Sequence, residues 1–514
     1  MVKYLLGLVV ICLLTVVLAV WLPLKSAPLV GVKGDYALRH INIVDVVTGD
    51  IASDMTVLIE DGQIAAIVPS NQYQVRGTHT DIPAAGKYLI PGLWDMHTHG
   101  LKLSPQLHHP LFIRYGVTSV RDMSGCLTEA DSYWACPADR RLWEQQALSG
   151  ERVSPRYPLQ SSYQTNGGNE VPAAYPDFFR LATPADAQQL VDFYEGRNVD
   201  FIKIYTELSA DQFDNLITYA AQKNMGIAGH KPLSVSLSHA LDASMQSIEH
   251  GRLFMFECFD GIEAFRQLDD PISHYDSQFM REMLLNQDQQ KCAELMAAMA
   301  NSKTTWVPTL TTLKMSAMAN DSSFREDPRL AYIPIIVRKL LWEPDIARAA
   351  SKGYDQQGNF VHGDYYAAAR AQVGRAHELG VELLAGTDNI DTYVFSGASL
   401  HDELAMLVTA GLTPLEALQT ATINAARFSR LDQDLGSVEV GKQADLVLLN
   451  ANPLSNIKHS SDIYGVMFAG QYFDLQALQT LDRFAVDMAH SLRTNLRFLY
   501  DIFASPLMRT QLAD

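Results

Sequence analysis

The 514-residue sequence is poor in cysteine and in positive charge. It has five cysteines, and none of them forms the C-x-x-C pair of a zinc clip. It has 40 lysines and arginines against 58 aspartates and glutamates, which gives a net charge of −18. This balance argues against nucleic acid and anionic lipid headgroups as partners. The length favours one large barrel together with a smaller module.

The N-terminus lacks charge altogether from Tyr4 to Leu22. A helix of these nineteen residues rises roughly 28 Å, about the thickness of a hydrocarbon core. We therefore predict an uncleaved membrane-spanning helix over residues 1–23 and a linker over 24–34. The remaining chain would be exported to the periplasmic or extracytoplasmic side. A cleaved signal peptide, giving a secreted or periplasmic protein, stays open, although its apolar region is usually shorter.

Four cysteines follow the apolar run and would be exported with the chain. Four thiols allow three complete pairings. We predict Cys126–Cys136 and Cys258–Cys292, because short loops close most easily and exported proteins can hold disulfides. Four free, partly buried thiols are the alternative.

Two separate segments predict a small β module. Residues 35–90 contain alternating strands and a hairpin that turns at Asp61-Gly62. Residues 436–475 return to β character near the other end of the chain. We expect the two segments to form one discontinuous β-sandwich domain.

The tail over residues 476–514 predicts an amphipathic helical extension. Its apolar side chains recur at helical spacing, and acidic side chains are interspersed with them. These acids disfavour a second membrane contact, so we expect the tail to pack on the barrel or on a partner subunit. A homo-oligomer is left open. The apolar positions are Leu492, Leu496, Leu499 and Ile502, and the acidic ones are Asp482, Asp487, Asp501 and Asp514.

Residues 91–435 alternate apolar strand-like runs with helical stretches. This order predicts a parallel sheet, and about eight such units predict a (β/α)₈ TIM-like barrel. A long loop over 126–160 and a mostly helical insertion over 311–370 interrupt the repeat. The predicted fold class is therefore α/β: a TIM-like barrel with a small discontinuous β-sandwich domain and an N-terminal membrane-spanning helix.

Metal-binding side chains stand where the predicted strands end. His97 and His99 are two residues apart, so they share one face of a strand. His230 and His250 directly follow apolar runs, and Asp388 follows Ala-Gly-Thr. Taken alone, His97 and His99 also fit two unrelated surface histidines. His230 and His250 also fit hydrogen-bonded core residues, and Asp388 also fits a helix cap. Because active sites of barrels lie at the C-terminal ends of the strands, the set together predicts a divalent-metal site.

Lys203 lies inside the apolar strand Phe-Ile-Lys-Ile. Burial of a lysine lowers its pKa and favours the neutral amine. A neutral amine can react with carbon dioxide to form a carbamate, whose two oxygens can bridge two cations.

The order His-x-His, Lys, His, His, Asp resembles the metal-dependent amidohydrolase superfamily. The amino-acid sequences of eight stretches, within residues 35–475, are similar to those of its prolidase-like and imidazolonepropionase-related branch. This resemblance implies a barrel with a flanking β-sandwich. The stretches are Pro-Gly-Leu-Trp-Asp-Met-His-Thr-His (91–99), Tyr-Gly-Val-Thr-Ser-Val-Arg-Asp-Met (115–123), Asp-Phe-Ile-Lys-Ile (200–204), Ser-Ile-Glu-His-Gly (247–251), Val-Pro-Thr-Leu (307–310), Ala-Gly-Thr-Asp (385–388), Ala-Gly-Leu-Thr-Pro-Leu-Glu-Ala-Leu (410–418) and Gly-Lys-Gln-Ala-Asp-Leu-Val (441–447).

The resemblance also implies a role for each metal-binding residue. His97, His99 and Asp388 would hold the more buried of two divalent ions, with Zn²⁺ as the expected metal. His230 and His250 would hold the more exposed ion, and Lys203, carboxylated by CO₂, would bridge the two. The loop over 164–169 departs from the Thr-Gly-Gly-His-Gly of many relatives, which leaves the substrate open.

The reaction implied is hydrolysis of an amide-type C–N bond in a small molecule, with dipeptides or N-acyl amino acids as the leading substrates. A metal-bridging hydroxide would be the nucleophile, and Asp388 would carry its proton to the leaving amine. Candidate substrate-binding residues are Tyr163, Asn166, Tyr205 and His401, with structural hydrogen bonding as the alternative for each.

Two other functions stay open at this point. A mononuclear deaminase or a cyclic-imide hydrolase of the imidazolonepropionase type is the enzymatic alternative, and Lys203 weighs against it. A non-catalytic scaffold is the lesser alternative, and the complete ligand set weighs against that.

Overall fold

The computed structural model describes residues 20–74, 77–167, 171, 175–268 and 270–511. The predicted membrane-spanning helix falls almost wholly on residues 1–19, outside the described chain. Among the helices of the described ranges, none is long and apolar enough to cross a membrane. The expectation of a membrane-spanning helix over residues 1–23 therefore stays a prediction.

The described residues form sixteen strands in three sheets. The strands are β1 (Val32–Lys33), β2 (Tyr36–Val44), β3 (Ile51–Glu60), β4 (Gln63–Pro69), β5 (Thr80–Pro83), β6 (Tyr88–Pro91), β7 (Leu93–Thr98), β8 (Val117–Asp122), β9 (Arg156–Gln160), β10 (Phe201–Ile204), β11 (Gly226–Gly229), β12 (Ser247–Glu249), β13 (Thr305–Val307), β14 (Leu446–Leu449), β15 (Ile463–Phe468) and β16 (Gln471–Phe473).

The α-helices lie between the later strands and at the C-terminal end. Those of six residues or more are His109–Arg114, Pro137–Ser149, Pro184–Gly196, Ala210–Gln222, Leu237–Asp242, Ser277–Leu285, Gln289–Ala300, Leu310–Ala317, Glu343–Lys352, Val361–Glu378, Ala398–Ala410, Pro414–Thr420, Ile423–Phe428, Leu475–His490, Leu492–Ala504 and Pro506–Gln511. Shorter ones are Ser104–Leu107, Leu253–Glu257, Ile262–Arg266, Ser322–Arg325 and Ile335–Val337.

The strands before β7 and after β13 form one nine-stranded sheet. Its order is β1-β16-β15-β14-β6-β2-β3-β4, with β5 beside β2. The pairing of β14 with β6 places Leu446 opposite Pro91, so the two ends of the chain meet in this sheet. Strands β3 and β4 form the predicted hairpin, with Glu60 opposite Gln63. Its two loop residues, Asp61 and Gly62, both have positive φ, as a tight hairpin turn requires.

This sheet is continuous. Strand β2 pairs with β5 along Tyr36–Arg39 and with β6 at Asn42 and Ile43. One long strand thereby joins both parts of the sheet. Some of the sheet's buried apolar residues form one cluster that includes Leu38, Leu89 and Leu446. Others, such as Val447, belong to the large cluster that contains the barrel core. The predicted limits of this domain remain a prediction.

The middle of the chain forms a parallel barrel. Strands β7-β8-β9 and β10-β11-β12-β13 are two parallel sheets. A bridge from Thr165 to Ile204 joins the end of β9 to β10. The segment 383–389 closes the ring, because Leu383 bridges Trp306 and Asn389 bridges Thr98. The eighth strand expected near 381–388 is thus present only as isolated bridges.

Both predicted disulfides are present. Cys126 and Cys136 join the loop after β8 to the start of the helix Pro137–Ser149, with Cα atoms 4.8 Å apart. Cys258 and Cys292 join the segment after Leu253–Glu257 to the helix Gln289–Ala300. The alternative of four free thiols is wrong.

The insertion over 311–370 is helical, as predicted, and the C-terminal helices pack against it. Trp342 of the insertion lies in one buried cluster with Phe484, Phe498 and Ile502. The four apolar positions of the tail differ in burial, however. Ile502 is buried, whereas Leu492 is 75% exposed.

Candidate metal centre

Three of the predicted ligands meet at one carboxylate oxygen. His97 lies in β7 and is fully buried, and His99 follows the strand. The Nε2 atom of His99 lies 2.7 Å from Oδ1 of Asp388. The Nε2 atom of His97 lies 3.3 Å from the same oxygen. The His-x-His spacing therefore places both imidazoles on Asp388.

The other two histidines face each other. His230 and His250 follow the adjacent parallel strands β11 and β12, and their Nε2 atoms are 2.9 Å apart. Burial holds the pKa of both imidazoles well below the usual value, so both rings are neutral near pH 7. Nδ1 of His250 lies 2.8 Å from Oγ1 of Thr309 and 3.7 Å from Oδ2 of Asp388.

This arrangement fits a metal ion. The nearest donor atoms of His97, His250 and Asp388 all lie within 4.8 Å of one another. Nε2 of His97 is buried and forms no hydrogen bond with the described residues, so a metal ion would satisfy it. Imidazole nitrogens and a carboxylate oxygen are ligands that zinc accepts.

Lys203 lies where the strand pattern placed it, buried at 1% exposure in β10. Burial lowers the pKa of its ammonium to about 8, although Glu249 and Asp388 oppose the shift. Burial is the main cause that lowers the pKa of His230 and His250, and the positive charge of Lys203 is a smaller one. The lysine is thus an electrostatic neighbour of the histidines.

The backbone of the centre is held in conformations that side chains rarely adopt. His250 and Asp388 have φ of 75° and 62°. Asp95 fixes the segment before Asp388, because its carboxylate accepts hydrogen bonds from Thr387 N at 3.0 Å and Oγ1 at 2.6 Å. Such strain persists only where the surroundings enforce it, and it is common at active sites.

A buried carboxylate behind His97 completes the centre, and the sequence alone did not reveal it. Oε2 of Glu249 lies 2.8 Å from Nδ1 of His97. Oε1 of Glu249 accepts hydrogen bonds from Arg121 Nη2 at 2.8 Å and from Ser247 Oγ at 2.5 Å. Burial opposes ionisation of Glu249, but Arg121 and His97 lower its pKa to about 2. The carboxylate therefore fixes the orientation of the His97 ring.

We expect Glu249→Gln to destabilise the fold by about 3–5 kcal/mol, because it leaves the buried Arg121 guanidinium without its counter-charge. The matched control is Glu403→Gln. Burial raises the pKa of Glu403 to about 8, and its carboxyl group accepts hydrogen bonds from the amides of Leu310 and Thr311. The melting temperature should fall clearly further for Glu249→Gln than for Glu403→Gln. Equal shifts would contradict an ionised Glu249.

Of the predicted substrate-binding residues, Tyr205 lies next to the ligand group, because its ring is 3.9 Å from that of His230. Asn166 and Tyr163 contact other residues. Oδ1 of Asn166 accepts a hydrogen bond from the amide of Glu207 at 2.9 Å. Tyr163 packs edge-on against Tyr175 at 5.0 Å. Residues 168 and 169 of the neighbouring loop lie outside the described chain.

His401 is not brought to the ligand group. Its Nδ1 atom lies 2.9 Å from Oγ of Ser460, and its Nε2 atom donates to the carbonyl of Tyr115 at 3.0 Å. Burial lowers its pKa to about 4, so it is neutral. These contacts match the structural alternative for His401 and do not place it at a substrate pocket.

A cavity opens beside His230 and His250, and it contains a cation that the sequence analysis missed. The guanidinium of Arg252 lies 5.7 Å from the centre of the Tyr275 ring. Within the described ranges Arg252 takes part in no salt bridge. The only available signal was its position two residues after a predicted ligand. The lining includes Thr206, His230, Leu233, His250, Arg252, Phe256, Ile262 and Tyr275.

Comparison with known proteins agrees with this fold. The model of the amidohydrolase family matches residues 289–472. A Xaa-Pro dipeptidase with bound methionine in its active site superposes with a TM-score of 0.60, covering 86% of this chain and 100% of that one at 19% identity. At this identity the superposition shows a common fold alone.

Two curated sequences match short parts of the chain. The 5′-deoxyadenosine deaminase of Methanobrevibacter smithii is 36% identical over 84 residues, which is 16% of this chain and 19% of that protein. The imidazolonepropionase of Geobacillus sp. is 55% identical over 40 residues, 8% of this chain and 9% of that protein. The chain therefore spans less than a fifth of either relative. The family match over residues 289–472, the fold and these short matches fit the amidohydrolase superfamily.

Proposed function

We propose that the protein hydrolyses an amide-type C–N bond in a small substrate that carries a carboxylate, such as a dipeptide or an N-acyl amino acid. The observation that carries this proposal is the convergence of His97, His99 and Asp388 next to the facing pair His230 and His250. A set of this kind suits metal-assisted hydrolysis.

In the proposed site, His97, His99 and Asp388 would hold one divalent cation, and His230 and His250 would hold the other. Lys203 would be a further ligand as a carbamate, which forms from the neutral amine that its lowered pKa favours. Two such cations, expected to be Zn²⁺, would supply an activated water molecule and polarise the scissile carbonyl. Glu249 would keep the ring of His97 in place through the bond to Nδ1.

Asp388 is proposed to move the proton. Burial alone would raise its pKa, but His97 and His99 hold the pKa well below the usual range. Its carboxylate is therefore ionised near neutral pH and can accept a proton from the attacking water. It then returns this proton to the nitrogen of the leaving amine, so that the amine leaves uncharged.

Arg252 is proposed to bind the carboxylate of the substrate. It lies on the cavity wall beside His230 and His250. The other lining side chains are mostly apolar, apart from Thr206, Glu249 and the ion pair of Lys231 with Glu257. A guanidinium binds a carboxylate through two parallel hydrogen bonds. Such contact would place the adjoining amide towards the histidines.

We expect Arg252→Met to raise KM about 10–100-fold for carboxylated substrates, because a charge-assisted hydrogen bond contributes about 1.5–3 kcal/mol. Steady-state kinetics with a dipeptide and with the corresponding dipeptide amide would test this. The KM for the dipeptide amide should change little, because its terminus is uncharged. An equal rise in KM for both substrates would contradict carboxylate binding by Arg252.

The proposed function itself is tested by a substrate screen. The zinc-loaded full chain would be offered dipeptides and N-acyl amino acids, and release of the free amino group would be measured. Hydrolysis that is lost after chelation and restored by zinc is the expected result. Protein that carries stoichiometric zinc but cleaves none of these substrates would argue against this substrate class. Protein without zinc would favour the non-catalytic scaffold.

A second candidate is deamination or opening of a cyclic imide at a single metal. It is favoured by the matches to a deaminase and an imidazolonepropionase. This reaction needs no bridging carbamate at Lys203. Release of ammonia from 5′-deoxyadenosine by protein with one zinc per chain would support it.

We further propose that the catalytic domain is exported and held by a membrane-spanning helix over residues 1–23, or released there by signal cleavage. The two disulfides support export, because such bonds persist in oxidising compartments. Protease protection in intact cells would test the location.

A further inference from the structure

An apolar surface lies where the described chain begins, and it is formed with the C-terminal helices. In the helix Leu492–Ala504, Leu492 is 75% exposed, Phe503 57% and Tyr500 37%. Their positions recur at helical spacing and lie along one side. Trp21 and Leu22 are also exposed, at 67% and 50%. We refer to these five residues as the N-proximal apolar face.

Specific contacts hold the two parts of this face together. The rings of Trp21 and Tyr500 lie 5.8 Å apart. Nη2 of Arg493 donates to the carbonyls of Leu22 and Pro23, at 2.5 and 2.8 Å. Nη1 of Arg497 donates to the carbonyl of Val20 at 2.8 Å. The chain that continues from the apolar run is therefore fixed on this helix.

The acidic residue of the helix is turned away from the face. Asp501 is 1% exposed, and it accepts hydrogen bonds from Arg497 at 2.9 and 3.0 Å. Phe498 and Ile502 are buried beside it in the cluster with the insertion. Asp501 is thus paired with Arg497, while Leu492, Tyr500 and Phe503 remain exposed.

We propose that the N-proximal apolar face rests on the surface of a lipid bilayer, with its aromatic rings at the boundary between headgroups and acyl chains. This rests on the proposed anchoring, because the uncharged run Tyr4 to Leu22 ends within the face. Trp and Tyr are enriched at that boundary. Because the net charge is −18, we expect no electrostatic attraction to anionic lipids. Contact between apolar side chains and a zwitterionic bilayer is then the driving force.

Photo-crosslinking of the full chain in vesicles of dioleoylphosphatidylcholine tests the proposal. Benzoylphenylalanine is placed at Phe503 and, as a matched control, at Leu285, which is 73% exposed on another helix. We expect about tenfold more lipid adduct from position 503 than from position 285. Because both side chains are exposed, the two proteins should melt at the temperature of the unmodified chain.

Flotation of the same vesicles separates the two levels of the proposal. If the protein floats but position 503 gives no more lipid adduct than position 285, anchoring stands and the face does not contact lipid. If position 503 crosslinks to a second copy of the chain, the face is a subunit interface and the proposal is overturned. Protein that does not float would overturn both the anchoring and the lipid contact.

Discussion

Replacing Asp388 with asparagine is expected to lower kcat by about 10²–10⁴-fold, the range for loss of a general acid–base group. The carboxylate lies 2.7 Å from Nε2 of His99 and 3.3 Å from Nε2 of His97. An amide oxygen can still act as a ligand there, but it cannot accept and return a proton near neutral pH. We therefore expect turnover to be lost while most of the zinc is retained.

The measurement pairs steady-state kinetics on the best carboxylated substrate with elemental analysis of zinc per chain. Asp402→Asn is the matched control, because Asp402 forms an ion pair with Arg329 at 2.9 Å, and none of its described contacts involves the ligand group. The control should keep both turnover and zinc. Undiminished turnover in Asp388→Asn would exclude this residue as the proton carrier. Loss of zinc together with turnover would leave it a ligand only.

The sequence indicated that the predicted ligands lie at strand ends, because that information is local. An apolar run followed by a histidine places the side chain at a strand end, and parallel strands bring their C-terminal ends to one edge. The disulfides were predictable for the same reason, since each closes a local loop. His230 and His250 show how far this reasoning reaches, because each follows its own strand and they meet across β11 and β12.

The residues that support the site could not be found this way. The contact between Glu249 and His97 joins positions 152 residues apart, and the contact between Glu249 and Arg121 joins positions 128 apart. In the sequence, Arg121 and Glu249 are each only a charged residue within an apolar strand, with no sign of the partner that each one contacts. His401 shows the converse error, because its place in the sequence did not reveal that Ser460 and the Tyr115 carbonyl occupy both ring nitrogens.

The irregular last strand has a specific cause. Asp388 has φ of 62°, which breaks the extended conformation at the point where the barrel closes. Asp95 holds the preceding Thr387 through two hydrogen bonds. The segment therefore forms only isolated β-bridges, and its conformation orients the carboxylate of Asp388. A pattern of apolar residues contains no signal for this conformation.

Replacing Lys203 with alanine is expected to reduce bound zinc from two ions per chain to one or fewer and to abolish turnover. The side chain is 1% exposed, and its low pKa of about 8 is what a carbamate requires. In the proposed two-metal site, alanine would remove the carbamate oxygens, so both metals would lose the ligand that they share. Elemental analysis and the dipeptide assay would measure both effects.

A carboxylate supplied in another form distinguishes the carbamate from simple loss of packing. Addition of acetate to Lys203→Ala should restore part of the zinc and of the turnover, because a small carboxylate can fill the space and bridge two cations. Chloride at the same ionic strength should restore neither. If Lys203→Ala keeps two zinc ions and full turnover, the two-metal site is wrong. If the unaltered chain itself holds a single zinc, the mononuclear reaction gains the advantage, since only that chemistry leaves Lys203 without a role at the metal.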